Sequence, residues 1–140
     1  TKWLADQLAE KLQKNHHEAE AIHGDLKQRK RDQVIRAFRG EKIRILVATD
    51  IASRGIDVPN IQHVVNYDIP DAVEEYIHRA GRTARANMQG LVSTIATWQA
   101  RPLIKEIEKV IGKEIPRCTV AGVTPFVEIQ VKPSVRGRRR

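Results

Sequence analysis

Two short stretches concentrate side chains able to do chemistry. The first is Thr49-Asp50-Ile51-Ala52-Ser53-Arg54-Gly55-Ile56-Asp57. It offers a hydroxyl, a carboxylate, a guanidinium, a glycine and a second carboxylate within nine residues. Gly55 admits backbone angles closed to other residues, or a close approach of backbone to ligand. Polar groups in such a place suit phosphate or ribose. By spacing alone, an ordinary turn at a strand exit fits equally. The second stretch is His78-Arg79-Ala80-Gly81-Arg82-Thr83-Ala84-Arg85, with three arginines and a histidine. On a solvated helix face, acids would normally alternate with such cations. Here Glu74 and Glu75 precede, and no acid follows until Glu106. Arginine's rigid planar fork suits a phosphoryl group better than lysine's point charge. A basic RNA-facing patch with no role in catalysis fits this charge pattern just as well.

The elements that would position these stretches alternate between two periodicities. Residues 2–14 carry Leu4, Leu8 and Leu12 at four-residue spacing beside Ala5 and Ala9, an apolar helical stripe. A strand-like segment over 20–23 ends at Gly24. Residues 27–39 predict a second helix with Val34, Ile35 and Phe38 inward and Lys/Arg outward. The dense apolar run 43–49 suits a strand buried on both faces of a parallel sheet, and 63–68 is a shorter run of the same kind. Residues 71–81 predict a helix with Asp71 as N-cap. Residues 91–97 predict a strand, and 101–112 an amphipathic helix stopped by Gly112. Strands alternating with helices argue for an α/β domain with a mainly parallel sheet. In such sheets ligands bind outside the strand carboxyl ends, which singles out His23-Gly24-Asp25, Thr49-Asp50 and Tyr67-Asp68. No internal repeat is found.

Composition narrows the partner. The 140 residues fit one domain, with 41% hydrophobic and 30% charged residues. A formal charge of +8 favours a polyanion, and nucleic acid above all. Aromatics make up only 4%, which disfavours a binder that stacks bases on aromatic platforms. Cys118 is the single cysteine, so no internal disulfide is possible and a small, at least half-buried hydrophobe is expected. No Cys/His spacing suits a metal, so no metal site is expected. The adjacent His16 and His17 cannot share a helix face and are expected exposed near a helix end. No apolar run reaches membrane-spanning length and no signal peptide opens the chain, so a cytoplasmic setting is expected.

Taken in order, these segments resemble the motifs of superfamily 2 helicases, specifically the second RecA-like domain of DEAD-box RNA helicases. His23-Gly24-Asp25 with Gln28 and Arg31 looks like motif IVa and its lead-in. Thr49 to Asp57 looks like motif V, Val64 to Asp68 followed by Pro70 like the segment called Va, and His78 to Arg85 like motif VI. Several motifs in order are far more specific than one. His78 helps to separate relatives, because DEAH helicases and many DNA translocases usually carry Gln there. The stretch Lys113 to Arg117, with Gly122 and Pro125, is similar to the bacterial RhlE-type subgroup. The resemblance covers residues 1–126. The remainder, 127–140, strongly basic from Lys132 onward, reads as a disordered tail.

The resemblance implies a RecA-like three-layer α/β/α domain and ATP-dependent unwinding of short RNA duplexes. RNA and an N-terminal RecA-like domain of the same protein would be its partners. That domain would hold ATP and Mg²⁺, and this one would close onto it. Arg82 and Arg85 look like the arginine fingers. His78 would couple to the first domain's acidic box. Gly55 and Asp57 would meet the ribose, and Gln28, Arg31, Thr49 and Arg54 the RNA backbone. Ala80 and Ala84 depart mildly from the pattern, removing no charge. A larger departure is the missing hydrophobic strand, motif IV, expected just before Thr1-Lys2 and beside the strands at 20–23 and 43–49. Walker A, the Asp-Glu-Ala-Asp box, the Q motif and the Ser-Ala-Thr motif, all first-domain features, are absent too. The chain alone is therefore expected to be inactive as an ATPase.

Overall fold

The computed structural model describes residues 1–53, 56, 58–59, 61–83, 90–118 and 120–122. Their elements run α1 (Lys2–Lys14), β1 (Ala19–Ile22), α2 (Gln28–Arg39), β2 (Ile45–Ala48), the single turn α3 (Asp50–Ser53), β3 (His63–Asn66), α4 (Val73–Ala80), β4 (Leu91–Thr94), a 3₁₀ turn at Trp98–Ala100, and α5 (Arg101–Ile111). The chain divides into two compact units. One comprises residues 1–62 and 82–90, the other residues 63–81 and 91–140.

The first unit is built on β1 paired in parallel with β2, with Ala19 opposite Ile45 and Ile22 opposite Ala48. Successive strand side chains point to opposite faces, and the core divides accordingly. Ala21 packs with Ala5 and Ala9 of α1, against Val47. Ile22 packs with Val34 of α2 and Ala52 of α3, with Leu46 and Ile35 alongside. This unit is thus a helix–sheet–helix sandwich in which small alanines let α1 lie close. Thr1 caps α1, its hydroxyl accepting from the Leu4 N–H at 3.3 Å. The leucine stripe of α1 is only half-buried, while Ala5 and Ala9 are buried.

In the second unit β3 pairs in parallel with β4, with His63 opposite Leu91 and Asn66 opposite Thr94. Helix α4 packs on β3 and α5, burying Tyr76, while α5 buries Ile107. Gly112 closes α5 in the left-handed conformation, φ 67°, its N–H bonded to the Glu108 carbonyl.

Several expectations change here. All pairing is parallel, as expected, but among the described residues it forms two two-stranded sheets. The run 43–49 contributes only Ile45–Ala48 as strand, half-buried or exposed throughout, because among the described residues β2 has a strand neighbour on one edge only. Asp71 does not cap α4. Ala72 takes that position with extended backbone (φ −145°), and the Asp71 N–H donates instead to Glu75 Oε2 at 3.0 Å. Cys118 is exposed, beyond the end of α5. His16 and His17 are exposed just past α1, as expected. The proposed boundary at residues 126/127 lies outside the described residues.

Candidate nucleotide and nucleic-acid interface

Parallel pairing of Ile22 with Ala48 sends the loops after β1 and β2 out of the same sheet edge. His23, first out of β1, is 5% exposed, and its Nε2 lies 2.9 Å from Asp6 Oδ1. An ionised carboxylate only accepts, so that ring nitrogen carries the hydrogen. Nδ1 is buried without a partner among the described residues. Two residues on, Asp25 meets Lys2 Nζ at 2.6 Å, and that ammonium holds its carboxyl below the ordinary value of 3.8. The start of α1 is thereby tied twice to the loop after β1. Sequence reasoning picked out His23 and Asp25 but missed Asp6 and Lys2. Each lies on α1, and only the fold brings it to the strand end.

Two expected RNA contacts sit at the start of α2. Gln28 Nε2 donates to Asp32 Oδ1 at 2.8 Å, and Arg31 Nη1 reaches the His23 carbonyl at 3.4 Å. Thr49 stands across from them after β2. Its N–H extends the ladder to the Ile22 carbonyl at 3.3 Å, and its carbonyl accepts from Ser53 N–H at 2.8 Å, starting α3. Gln28, Arg31 and Thr49 therefore share one strand-exit edge. Arg54, Gly55, Asp57 and Arg85 lie outside the described residues.

Arg82 and Thr83 join this unit from beyond α4. Arg82, half-buried, donates from Nη1 to the Ile56 carbonyl at 3.3 Å. The buried Thr83 hydroxyl donates to the Ile61 carbonyl. Half of the second chemical stretch is thus fastened to the tail of the first.

The other half of that stretch belongs to the second unit. His78 is exposed on the last turn of α4. Arg79 forks, with Nη1 to the Asp68 carbonyl at 2.8 Å and Nη2 to Glu75 Oε1 at 3.1 Å. It staples the exit of β3 to α4, a structural job that charge counting could not separate from ligand binding. A Cβ on Gly81 would lie 3.2 Å from the Ile77 carbonyl, so the turn out of α4 leaves little room. Asn66, 2% exposed, donates to Thr94 Oγ1 at 3.0 Å, tying the two strand ends together. Among the described residues no three His, Cys, Asp or Glu side chains cluster as metal ligands. No described helix is long and apolar enough to cross a membrane.

Known proteins share this arrangement. The family described as helicase conserved C-terminal domain matches residues 1–87. The DEAD-box ATP-dependent RNA helicase CshA of Bacillus subtilis is 42% identical over 139 residues, which cover 99% of this chain and 28% of that protein. The chain spans about a quarter of the length of the curated relatives it matches. Among solved structures, the E. coli DEAD-box protein SrmB, bound to regulator of ribonuclease activity A, superposes with a TM-score of 0.83 at 29% identity, covering 94% of this chain and 78% of that one. S. cerevisiae Dbp5 bound to RNA and ADP BeF3 gives 0.72 at 35% identity, covering 83% and 32%. The chain belongs to the helicase conserved C-terminal domain family, as the RecA-like α/β C-terminal domain of a DEAD-box RNA helicase.

Proposed function

We propose that this domain is the second half of an ATP-driven RNA clamp, which couples hydrolysis across an interdomain cleft to local unwinding of RNA duplexes. The observation that carries the reading is the Arg82–Ile56 contact. It fastens the arginine-rich stretch to the loop that would meet nucleotide, so that one movement could deliver both. Dbp5 was solved with RNA and ADP BeF3, which supports RNA and nucleotide as the ligands here.

The first RecA-like domain, Mg²⁺ with it, would hold most of the ATP. The bound triphosphate supplies the phosphoryl group whose transfer drives the cycle. A half-buried guanidinium steadied by a backbone carbonyl suits that group, because pre-oriented donors stabilise developing charge without reorganising. Arg82 and Arg85 would act as arginine fingers, and His78 would couple to the first domain's acidic box. Gly55 and Asp57 would meet the ribose. Gln28, Arg31, Thr49 and Arg54 would hold the RNA sugar–phosphate backbone, which gives weak sequence preference. The stretch Lys113 to Arg117, with Gly122 and Pro125, supports a bacterial RhlE-type subgroup, and the lone cysteine accords with a cytoplasmic setting.

The test is ATP turnover. This 140-residue chain alone should show none above background, with or without RNA. Joined to the first RecA-like domain of a DEAD-box helicase, it should give RNA-stimulated turnover. Clear hydrolysis by the chain alone, in a preparation free of other ATPases, would overturn the half-motor reading.

A further inference from the structure

Helix α2 has a second face that the Gln28/Arg31 edge does not use. Its buried side centres on Val34, 1% exposed, with Ile35 alongside. Arg29 and Arg36 are seven residues apart, two turns, and so lie along one line on the opposite side. Arg39 follows three residues later on the neighbouring row. All three are exposed. Residues 27–44 carry eight Lys or Arg against two acids, Asp32 and Glu41. Asp32 does not neutralise Arg29 or Arg36. The Asp32 carboxylate accepts from Gln28, and Arg36 Nε bonds the Asp32 carbonyl at 3.3 Å, leaving the carboxylate aside. Among the described residues Arg29 and Arg36 have no carboxylate partner.

Folding does not account for this charge. No acid occupies the first turn of α2 and its N-cap, Lys27, makes no side-chain cap bond. Cations there oppose the helix dipole, and a solvated face would interleave acids with them. The line consists of arginines, whose forks grip phosphate in two places. The rise from Arg29 to Arg36, about 10 Å, spans roughly three phosphates along one strand.

We propose that the outward face of α2, along Arg29, Arg36 and Arg39, is a second RNA-backbone surface that holds the strand flanking the segment gripped at Gln28, Arg31 and Thr49. It rests on the RNA reading above and deepens it, because it makes affinity depend on RNA length. Neutralising these charges should leave a short RNA untouched and weaken a long one.

The experiment measures binding of the full chain to a short oligouridine and to one three times as long, over a salt series. Variants are the triple Arg29→Gln, Arg36→Gln, Arg39→Gln and a charge-matched control on and just past α5, Lys105→Gln, Lys109→Gln, Lys113→Gln, each checked for an unchanged melting curve. For the long RNA, the α2 triple should lose about tenfold or more in affinity, and the log affinity against log salt slope should flatten by roughly 2. Its short-RNA affinity should stay within about twofold of wild type, and the control should match wild type on both. Equal losses in the two triples would reduce the effect to overall charge and overturn the proposal. So would a loss as large on the short RNA, or a loss of poly-aspartate binding with long-RNA affinity intact. Failure of wild type to bind either RNA would sink the RNA reading as a whole. Wild-type binding that Gln28→Ala and Arg31→Ala weaken, but the α2 triple does not, would sink this proposal alone.

Discussion

Helices α2 and α5 are both amphipathic and of similar length, and both start without a side-chain cap or an acid in the first turn, yet their exposed charges and C-terminal ends follow different rules. Helix α5 begins with Pro102 in its first turn and interleaves Lys105, Glu106, Glu108 and Lys109. It ends on left-handed Gly112, with Glu108 Oε1 gripping the Ile115 N–H at 2.9 Å beyond it. Its exposed charges and its C-terminal end are arranged as a stable helix wants them. Helix α2 starts on an uncapped Lys27 and puts Arg29, Lys30 and Arg31 against the positive end of its dipole, each at about 0.3–1 kcal/mol in low salt. Both are anchored by one well-buried aliphatic residue, Val34 in α2 and Ile107 in α5. A helix that breaks local rules while its core side is sound points to a ligand rather than to folding.

The largest effect that could break this division lies just beyond α4. In an intact helicase containing this domain, Arg82→Ala or Arg85→Ala should lower ATP turnover by about 10³-fold, with little change in ATP affinity or in Tm. Lysine should rescue poorly for want of the fork. Near-normal turnover in both alanine variants would remove the arginine fingers from the account. Next, Ile107→Ala in α5 should cost about 2–5 kcal/mol of stability by chemical denaturation. Oligouridine binding measured where the variant is still folded should not change. A binding loss there would show that α5 is not a purely structural helix.

Lys27→Asp sharpens the contrast from the α2 side. It supplies a cap and an acid at the positive dipole end, so stability should rise by about 1 kcal/mol while RNA affinity falls. Stability and affinity rising together would contradict the reading of α2 as a binding helix. The smallest effect concerns Asp25. Its folded carboxyl is held below 3.8 by Lys2, so the contribution is present above the unfolded value and fades as pH falls through the folded one. Both side chains are largely exposed, so salt should screen it. Asp25→Asn should slightly flatten the acid limb of a stability–pH curve, and only at low ionic strength.

Much of this was legible in the residues, because helices announce themselves through spacing and caps. The stripe of α1, the inward Val34 and the Gly112 stop were each readable from local periodicity. What depends on distant neighbours was not. The run 43–49 looked doubly buried because its apolar density is high, but burial is set by which strands flank it. Asp71 looked like a cap by type, while Glu75 supplies the carboxylate that its N–H meets. The charge pattern left Arg79 and Arg82 open between phosphate binding and a plain basic patch, and the family resemblance singled out Arg82 with Arg85. Only the fold shows Arg79 turned onto Glu75 and the Asp68 carbonyl and Arg82 onto Ile56. The Asp6–His23 pair joins residues seventeen apart that no local pattern links.

The division into units has a consequence for the order of synthesis. The chain leaves the first unit after Gln62 and returns to it at Arg82. Thr83 must then reach back to the Ile61 carbonyl. A ribosome delivering about 5–20 residues per second would release all of 63–81 before the first unit could be finished. β3 would wait longer still for β4 at Leu91. Neither unit can be completed as a continuous stretch of nascent chain. A stop at residue 62 would yield a sheet pair without its arginine, and each unit is completed only after a segment of the other has been made.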